Sequence, residues 1–197
     1  MRILVTGGCG FIGSHLVRHL INQNNFEVLN LDALTYAGNE ANLSDIQNQD
    51  SYSFVNSNIR DRIEINEIFS SFRPNCIFHL AAETHVDRSI DGPDEFIQTN
   101  VVGTSVLIEE ADRWRNSLSA EERDTFRFVH ISTDEVYGSL ESGSAKPFVE
   151  TSPLNPNSPY AASKAAADHL VRAWFKTYGL PTITVNCTNN YGPYQFP

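Results

Sequence analysis

Short apolar runs alternate with longer amphipathic stretches along the whole chain. The apolar runs predict buried strands at residues 3–6, 28–31, 52–55, 76–80, 128–132 and 182–185. The stretches between them predict helices at residues 11–21, 63–72, 95–115 and 160–178. Strands that alternate with helices indicate a parallel sheet, and continuously apolar strands indicate that helices cover both of its faces. The pattern therefore predicts an α/β fold with a doubly wound parallel sheet.

One long segment, residues 139–159, is rich in Ser, Pro, Gly and Asn. A loop of this length inside a compact domain is usually functional. It leads into a well-marked helix start, where Ser158 can cap the helix and Pro159 suits its first turn. The last residues, 189–197, have the composition of a loop, so we expect the domain to continue beyond this chain.

Composition narrows the classes of function. The net charge of −10 makes non-specific binding to nucleic acid unfavourable, although backbone amides could still bind an anion locally. Three scattered cysteines, Cys9, Cys76 and Cys187, argue against a disulfide framework and favour a reducing compartment. The apolar N-terminal run is too short for a signal peptide or a membrane span. We therefore expect a cytoplasmic protein that binds neither membrane nor nucleic acid.

A glycine-rich loop follows the first predicted strand. Its spacing is GxxGxxG at Gly7, Gly10 and Gly13, and it opens the first predicted helix. In a dinucleotide-binding loop, one glycine permits a tight turn, one lets the backbone approach the pyrophosphate, and one lets the helix pack closely. The helix N-terminus then presents free N–H groups to the phosphates. The strand–loop–helix context supports a dinucleotide site of the Rossmann type.

Asp32 closes the second predicted strand, about 20 residues beyond the glycine loop. An acidic residue at this place binds the ribose hydroxyls of a dinucleotide and repels a 2′-phosphate. The position therefore favours NAD over NADP.

Two further motifs carry candidate catalytic groups. Tyr160 and Lys164 form a YxxxK pair on one helix face, where the ammonium is expected to lower the pKa of the phenol and make it a base. Thr133, Asp134 and Glu135 follow the fifth predicted strand, at the sheet edge where such folds bind ligands. Adjacent carboxyl groups there suggest an acid and a base whose environments separate their pKa values.

Other chemical side chains fit structural roles better. His15 and His19 share a helix face, but no third ligand accompanies them, so we predict no metal site. Cys9 has no evident base and is interpreted as a small filler in the loop. His79 ends an apolar strand and is interpreted as structural.

Taken together, these motifs resemble the extended short-chain dehydrogenase/reductase family, and within it the nucleotide-sugar dehydratases. The likeness spans residues 2–197 through the segments TGGCGFIGS, LDALTYAGN, HLAAETHVDRSI, TNVVGT, STDEVYG, SPYAASKAAADHLVRAW and NNYGPYQFP. The resemblance implies one NAD-binding Rossmann domain over residues 1–197, with most of the C-terminal sugar-nucleotide domain missing. It also implies a redox-neutral dehydration of a nucleotide sugar and a homodimer formed through the helices at 95–115 and 160–178. The apolar side chains expected at that interface are Val101, Val102, Leu107, Ile108, Leu170, Val171, Trp174 and Phe175.

The resemblance also assigns site residues. It implies catalytic roles for Thr133, Asp134, Glu135, Tyr160 and Lys164. It implies NAD binding by Gly7, Gly10, Phe11, Ile12, Gly13, Asp32, Asn58, Ile59, Leu80, Ala81, Ala82, Thr99, Tyr160 and Lys164. It implies substrate binding by Thr84, Thr133 and Asn190.

The chain departs from the family pattern in two places. Asn58 stands where an Asp is expected, and its amide oxygen could still accept a hydrogen bond from adenine. Thr84 replaces a Ser and keeps the hydroxyl.

Four alternatives remain open at this point. A 4-epimerase would not need the acid pair, and in a GDP-mannose dehydratase or a UDP-glucuronate decarboxylase a Ser is expected at position 134. A non-enzymatic NAD-binding module would need none of the catalytic groups.

Overall fold

The computed structural model describes residues 1–140 and 146–195. Within these residues, six strands form one parallel sheet: β1 Arg2–Thr6, β2 Glu27–Asp32, β3 Tyr52–Asn56, β4 Cys76–His79, β5 Arg127–Thr133 and β6 Thr182–Cys187. Their order is β3-β2-β1-β4-β5-β6, which confirms the predicted doubly wound sheet. The order reverses between β1 and β4, and the carboxyl ends of the strands open a crevice there.

Among the described residues lie the four predicted helices and further short helical segments. They are α1 Phe11–Asn22, α2 Arg62–Phe72, α3 Val86–Asp91, α4 Pro93–Phe96, α5 Thr104–Ser117, α6 Ala120–Thr125 and α7 Pro159–Tyr178. The predicted helix over 95–115 is confirmed as one continuous helical stretch, in which a π-helical segment, Ile97–Gly103, lies between α4 and α5. The short helices α3 and α6, six residues each, were not predicted, since they are too short to display a helical apolar period.

The core lies on both faces of the sheet. Helices α2, α5 and α7 cover one face, and α1 covers part of the other. Within β1, Leu4 points into the first cluster while Ile3 and Val5 point into the second. Burying a side chain of this size contributes roughly 1.5–3 kcal/mol, so both faces contribute to stability. The prediction of a sheet covered on two sides is confirmed.

Helix α7 begins as the sequence predicts. The Ser158 hydroxyl accepts a hydrogen bond from the Ala161 N–H at 3.0 Å, and Pro159 occupies the first turn. Gly179 ends the helix in the left-handed conformation, with φ of 70°. The Ser158 cap and Pro159 thus fix the start of the helix that carries Tyr160 and Lys164, and Gly179 fixes its end.

The long loop before α7 packs against a short 3₁₀ turn, Asp134–Tyr137. Phe148 and Leu154 contact the cluster formed by Val136 and Tyr137, and the Asn155 N–H donates to the Val136 carbonyl at 2.9 Å. Residues 141–145 of the predicted loop, and residues 196–197 of the last motif, lie outside the described residues. The described part of the loop therefore supports the turn that carries Asp134 and Glu135.

Within residues 1–140 and 146–195, each helix falls short of the length and apolar character that crossing a bilayer requires.

Candidate active site

A groove of about 410 Å³ follows the carboxyl edge of the sheet. It runs from the glycine loop past the ends of β2 and β4 to the start of α7. The predicted site residues that line it are Gly7, Gly10, Phe11, Ile12, Gly13, Asp32, Asn58, Ile59, Leu80, Ala81, Ala82, Thr84, Thr99, Thr133, Glu135, Tyr160, Lys164 and Asn190. Asp134 is not among the lining residues; it lies half-buried beside Glu135. The structure thus gathers residues from nearly the whole length of the chain into one site.

The glycine loop has the geometry that the sequence predicts. Gly7 has φ of 75°, and a Cβ there would lie 2.7 Å from the Ala81 nitrogen. A Cβ on Gly13 would overlap the Gly7 carbonyl oxygen and lie 2.7 Å from the Gly8 Cα. Gly10 precedes α1 and has no side chain to cap it, so the first N–H groups of the helix face the groove. The loop and helix start form a cradle that suits a diphosphate.

Asp32 is held rigidly at the end of β2. One carboxylate oxygen accepts from the Cys9 N–H at 2.8 Å, and the other accepts from the Leu34 N–H at 2.9 Å. Burial raises the pKa of Asp32, and these two N–H groups oppose the change. The side chain is 7% exposed and lines the groove, so its carboxylate can accept a hydrogen bond from a hydroxyl group of a bound molecule.

Asn58 uses its amide oxygen within its own loop. That oxygen accepts from the Arg60 backbone N–H at 3.0 Å and from the Arg60 Nε at 3.3 Å. The oxygen that the resemblance assigns to adenine therefore already has partners. A contact with adenine would require Asn58 to exchange or share them.

The end of β5 delivers the acidic pair. The Thr133 hydroxyl accepts from the Glu135 N–H at 3.2 Å and lies 3.4 Å from a carboxylate oxygen of Asp134. Burial raises the pKa of Glu135, and the charge of Asp134 raises it further. Glu135 is therefore a stronger base than an exposed glutamate, as an acid–base role would require.

Tyr160 lies opposite this turn at the start of α7. Its backbone N–H donates to the Ser89 hydroxyl at 3.1 Å, so α3 fixes the first turn of α7. Burial raises the pKa of Tyr160 to about 12, the carboxylate of Glu135 adds to this effect, and the Thr133 hydroxyl opposes it. The phenol thus keeps its proton at neutral pH in the protein alone.

Lys164 is buried one turn further along α7. Its ammonium donates to the Ile131 carbonyl at 2.7 Å, and burial lowers its pKa to about 8. The prediction that this ammonium lowers the pKa of Tyr160 is wrong for this arrangement. The cation is directed to the strand backbone, and burial together with Glu135 dominates at the phenol.

One structural residue of the site was not predicted. Asn100, in the π-helical segment, accepts from the Glu83 N–H at 2.8 Å and donates to the Glu83 carbonyl at 2.9 Å. It also donates to the Ser163 hydroxyl at 2.8 Å. Asn100 therefore ties the loop after β4 to the turn of α7 between Tyr160 and Lys164. The motif TNVVGT contained the residue, but only the tertiary contacts reveal its role.

Tyr36 was also missed as a groove residue. Its ring lies 3.9 Å from the guanidinium carbon of Arg88, and its hydroxyl lies 3.4 Å from the Thr84 hydroxyl. These contacts connect the loop after β2 with the loop after β4 across the groove.

The remaining potentially reactive side chains lie in the packed core or lack the partners that catalysis or metal binding requires. His79 lies between the hydroxyls of Thr6 and Thr104, at 2.8 and 2.9 Å, in the buried core. Cys9 is buried, which raises the pKa of its thiol to about 12 and makes it a poor nucleophile. Among the described residues, no group of three or more His, Cys, Asp or Glu is arranged to hold a metal ion.

Comparison with known proteins agrees with this geometry. Residues 4–197 match the family model described as GDP-mannose 4,6 dehydratase. The chain is 55% identical to dTDP-glucose 4,6-dehydratase of Escherichia coli, over all of this chain and 56% of that enzyme. It therefore spans about half the length of the curated relatives it matches.

Solved structures show the same arrangement. DesIV of Streptomyces venezuelae, a dTDP-glucose 4,6-dehydratase solved with NAD bound, superposes with a TM-score of 0.89 at 48% identity over the whole of this chain and 58% of that one. The UDP-glucose 4-epimerase of Thermus thermophilus, in complex with NAD, gives 0.86 at 34% identity over the whole of this chain and 58% of that one. From the family match across nearly its full length, this chain belongs to the GDP-mannose 4,6 dehydratase family.

Proposed function

We propose that this chain is the cofactor-binding and catalytic part of an NAD-dependent dTDP-glucose 4,6-dehydratase. The reaction converts dTDP-glucose to dTDP-4-keto-6-deoxyglucose. The observation that carries the proposal is the meeting of Thr133, Glu135, Tyr160 and Lys164 in one groove with the glycine loop, and with Asp134 beside Glu135. The identity of 55% to a dTDP-glucose dehydratase, against 34% to an epimerase of the same fold, supports this substrate class.

The residues present fit NAD. The glycine loop leaves room for a diphosphate, because a Cβ on Gly10 would meet its nearest neighbour only at 3.5 Å. Asp32 would hold the ribose hydroxyls at the end of β2, and Lys164 would approach the nicotinamide half of the cofactor. When bound, NAD would supply the hydride acceptor, the hydride donor of the last step and a positive charge within the groove.

The protein side chains would carry the proton transfers. Tyr160 would take the proton of the C4 hydroxyl at its phenolic oxygen, with the Thr133 hydroxyl bonded to the same sugar oxygen. The C4 carbonyl formed in this way makes the C5 proton acidic, and Glu135 would remove it. Asp134 would donate a proton to the departing C6 hydroxyl, which leaves as water. Burial and the Glu135 carboxylate raise the pKa of the phenol, so a positive charge nearby would favour its action as a base.

The acid pair separates this function from its rivals in the same fold. An epimerase moves hydride to and from C4 and needs no group to expel water. Asp134 is also not the serine expected in a GDP-mannose dehydratase or a UDP-glucuronate decarboxylase. The name of the matching family model therefore describes the family and not the proposed sugar.

Single-turnover kinetics test the assignment of steps, in a form of the protein extended to the length of its relatives. Tyr160→Phe should slow the appearance of NADH absorbance. Asp134→Asn and Glu135→Gln should allow that absorbance to form but delay its decay, because elimination is blocked. Glu150→Gln, at an exposed loop position, is the matched control for removing a carboxylate. If both acid variants decay like the wild type, the pair is structural and the proposed chemistry is wrong.

Cofactor choice can be tested on this chain. The Asp32 carboxylate should favour NAD over NADP by at least about tenfold in affinity, or roughly 1.4 kcal/mol. Calorimetry with both nucleotides measures this ratio, and Asp32→Asn should reduce it. NADP binding as tight as NAD binding would contradict the cofactor assignment.

We also propose that the 197-residue chain by itself binds NAD but does not turn over dTDP-glucose. It spans 56% of the Escherichia coli enzyme, and binding energy from remote parts of a substrate orients the reacting sugar. A direct assay for the 4-keto product decides this point. Turnover within about tenfold of a full-length relative would show that the groove residues suffice.

A homodimer and a cytoplasmic location complete the proposal. Exposed apolar side chains on or next to the two predicted interface helices, Val102 and Phe175, support a helical dimer interface. Leu107, Ile108 and Val171, which were expected to contribute, are fully buried in the core of one chain and cannot form part of that surface. Sedimentation at micromolar concentration tests the dimer, and a folded monomer would contradict it.

The three free cysteines agree with a reducing compartment.

A further inference from the structure

Helix α7 attaches to the end of β5 through two buried charges. Lys164 and Asp168 are four residues apart, so they share one face of the helix, and they are 4% and 9% exposed. The Lys164 ammonium donates to the Ile131 carbonyl at 2.7 Å, while an Asp168 carboxylate oxygen accepts from the Ser132 hydroxyl at 2.9 Å. Ile131 and Ser132 immediately precede Thr133. One turn of α7 therefore grips the strand end that carries the predicted catalytic residues.

The carboxylate of Asp168 is fixed by groups from two strands. Besides Ser132, the Asn186 amide lies 3.4 Å from the same oxygen, and that amide also donates to the Thr133 carbonyl at 3.2 Å. The His130 Nε2 lies 3.2 Å from the second carboxylate oxygen, although the two are not aligned as a hydrogen bond. These contacts hold the carboxylate in place under the active-site groove.

Lys164 is the cation on the same helix face as Asp168, and the two charges act on each other through space, without a direct ion pair between these two described side chains. Burial lowers the pKa of His130 to about 4, and the Lys164 charge acts in the same direction, so the imidazole is neutral near pH 7. His79, from β4, is likewise neutral, because burial lowers its pKa. Burial disfavours the Lys164 ammonium, and Asp168 is the main group that opposes this effect, followed by Cys187 of β6. A buried ion that loses its partner is strongly destabilised.

We propose that Asp168 is a positioning residue of this site: its carboxylate is the counter-charge of the Lys164 ammonium and, through Ser132, ties that charge to the strand end that carries Thr133. Asp168 acts through Lys164 and does not line the groove. Its importance for catalysis rests on the proposed function of Lys164, whereas the electrostatic pairing can be measured without any substrate.

The sequence makes a direct measurement feasible. The chain has three lysines, and Lys146 and Lys176 are exposed and serve as internal references. In protein with carbon-13 at the lysine ε position, the chemical shift of each lysine reports its own titration. The wild-type Lys164 should titrate near pH 8. In Asp168→Asn, its midpoint should fall by about one pH unit or more, because an opposite charge has been removed nearby.

Two further variants sharpen the result. Asp168→Glu keeps the charge and should hold the midpoint within about half a pH unit of the wild type. Glu110→Gln removes another buried carboxylate, which pairs with Arg62 and Arg113, and should leave the Lys164 titration unchanged. A folded Asp168→Asn protein with a wild-type Lys164 midpoint would overturn the proposal.

If Asp168→Asn does not fold, a double variant decides the question. Adding Lys164→Met removes the unpaired cation, so the double variant should regain the folded state. If the double variant does not fold while Lys164→Met folds on its own, Asp168 stabilises the fold through its hydrogen bonds to the strands and not through its charge near Lys164. NAD binding by the wild type is measured separately, by calorimetry. A failure to bind NAD would refute the proposed function without changing the Lys164 titration.

Discussion

The buried histidine at the centre of β5 should make the protein sensitive to acid. His130 is fully buried, packs 5.3 Å from the ring of His79, and has no hydrogen-bond partner for either ring nitrogen among the described residues. Burial is the main cause that lowers its pKa from 6.5 to about 4, and the nearby Lys164 charge contributes, while Asp168 opposes the change. The folded protein therefore takes up a proton on His130 only at strongly acidic pH.

The size of the effect follows from the two pKa values. As pH falls below about 6.5, the unfolded chain binds a proton on His130 and the folded chain does not, so stability is lost. The loss is nearly complete once the pH reaches the folded pKa of about 4. A pKa that differs by one between the folded and unfolded chains corresponds to about 1.4 kcal/mol, so His130 should remove about 3 kcal/mol of the free energy of unfolding across this range. That is a large part of the usual stability of a domain of about 5–15 kcal/mol.

Urea unfolding at a series of pH values measures this loss. His130→Gln keeps an N–H donor near the Nε2 position but cannot titrate. Between about pH 7 and pH 4, the variant should therefore lose about 3 kcal/mol less than the wild type. Carboxylates and His79 also titrate in both proteins. Burial, the main cause of the lowered pKa of His79, is the same in both, and the charge of His130 acts on it in addition, so most of the difference reports His130. His19→Gln, at an exposed position, is the control. The same pH dependence in wild type and His130→Gln would refute this reasoning.

Three further predictions concern the glycine loop, the contacts of Asn100 and the start of α7. Gly13→Ala should weaken NAD binding by at least about tenfold in calorimetry, because a Cβ there collides with the glycine-loop backbone; Gly92→Ala, where the nearest atom is 3.9 Å away, should leave binding unchanged. Asn100→Ala should lower the free energy of unfolding by about 1–3 kcal/mol, because it leaves buried backbone groups of Glu83 unpaired. A change below about 0.5 kcal/mol in urea unfolding would contradict this role of Asn100. Ser158→Ala should cost about 1 kcal/mol through loss of the α7 cap, whereas equal urea midpoints for variant and wild type would show that Pro159 alone fixes the helix start.

Local patterns were enough to predict the sheet, the main helices, the glycine loop and the candidate catalytic groups, whereas the family resemblance supplied most of the other groove residues. The central strands are mostly apolar on both faces, so their positions are visible in the sequence, and a parallel sheet brings the carboxyl ends of all strands to one edge. Residues that follow a strand, such as Asp32 and Thr133, or that begin a capped helix, such as Tyr160, are placed by these elements. The glycine loop was equally predictable, because Gly7 and Gly13 answer local steric needs.

Contacts between distant segments were decided only by the tertiary structure. The apolar pattern of α5 and α7 does not distinguish a side chain in the core from one on the surface, so Leu107 and Val171 were assigned to an interface although the core buries them. Nothing in the YxxxK spacing shows that Lys164 turns to the Ile131 carbonyl and Asp168. A pKa depends on burial and on charges that arrive from other strands and helices. The sequence by itself thus determined which groups meet at the sheet edge, while the packing around them decided their protonation and partners.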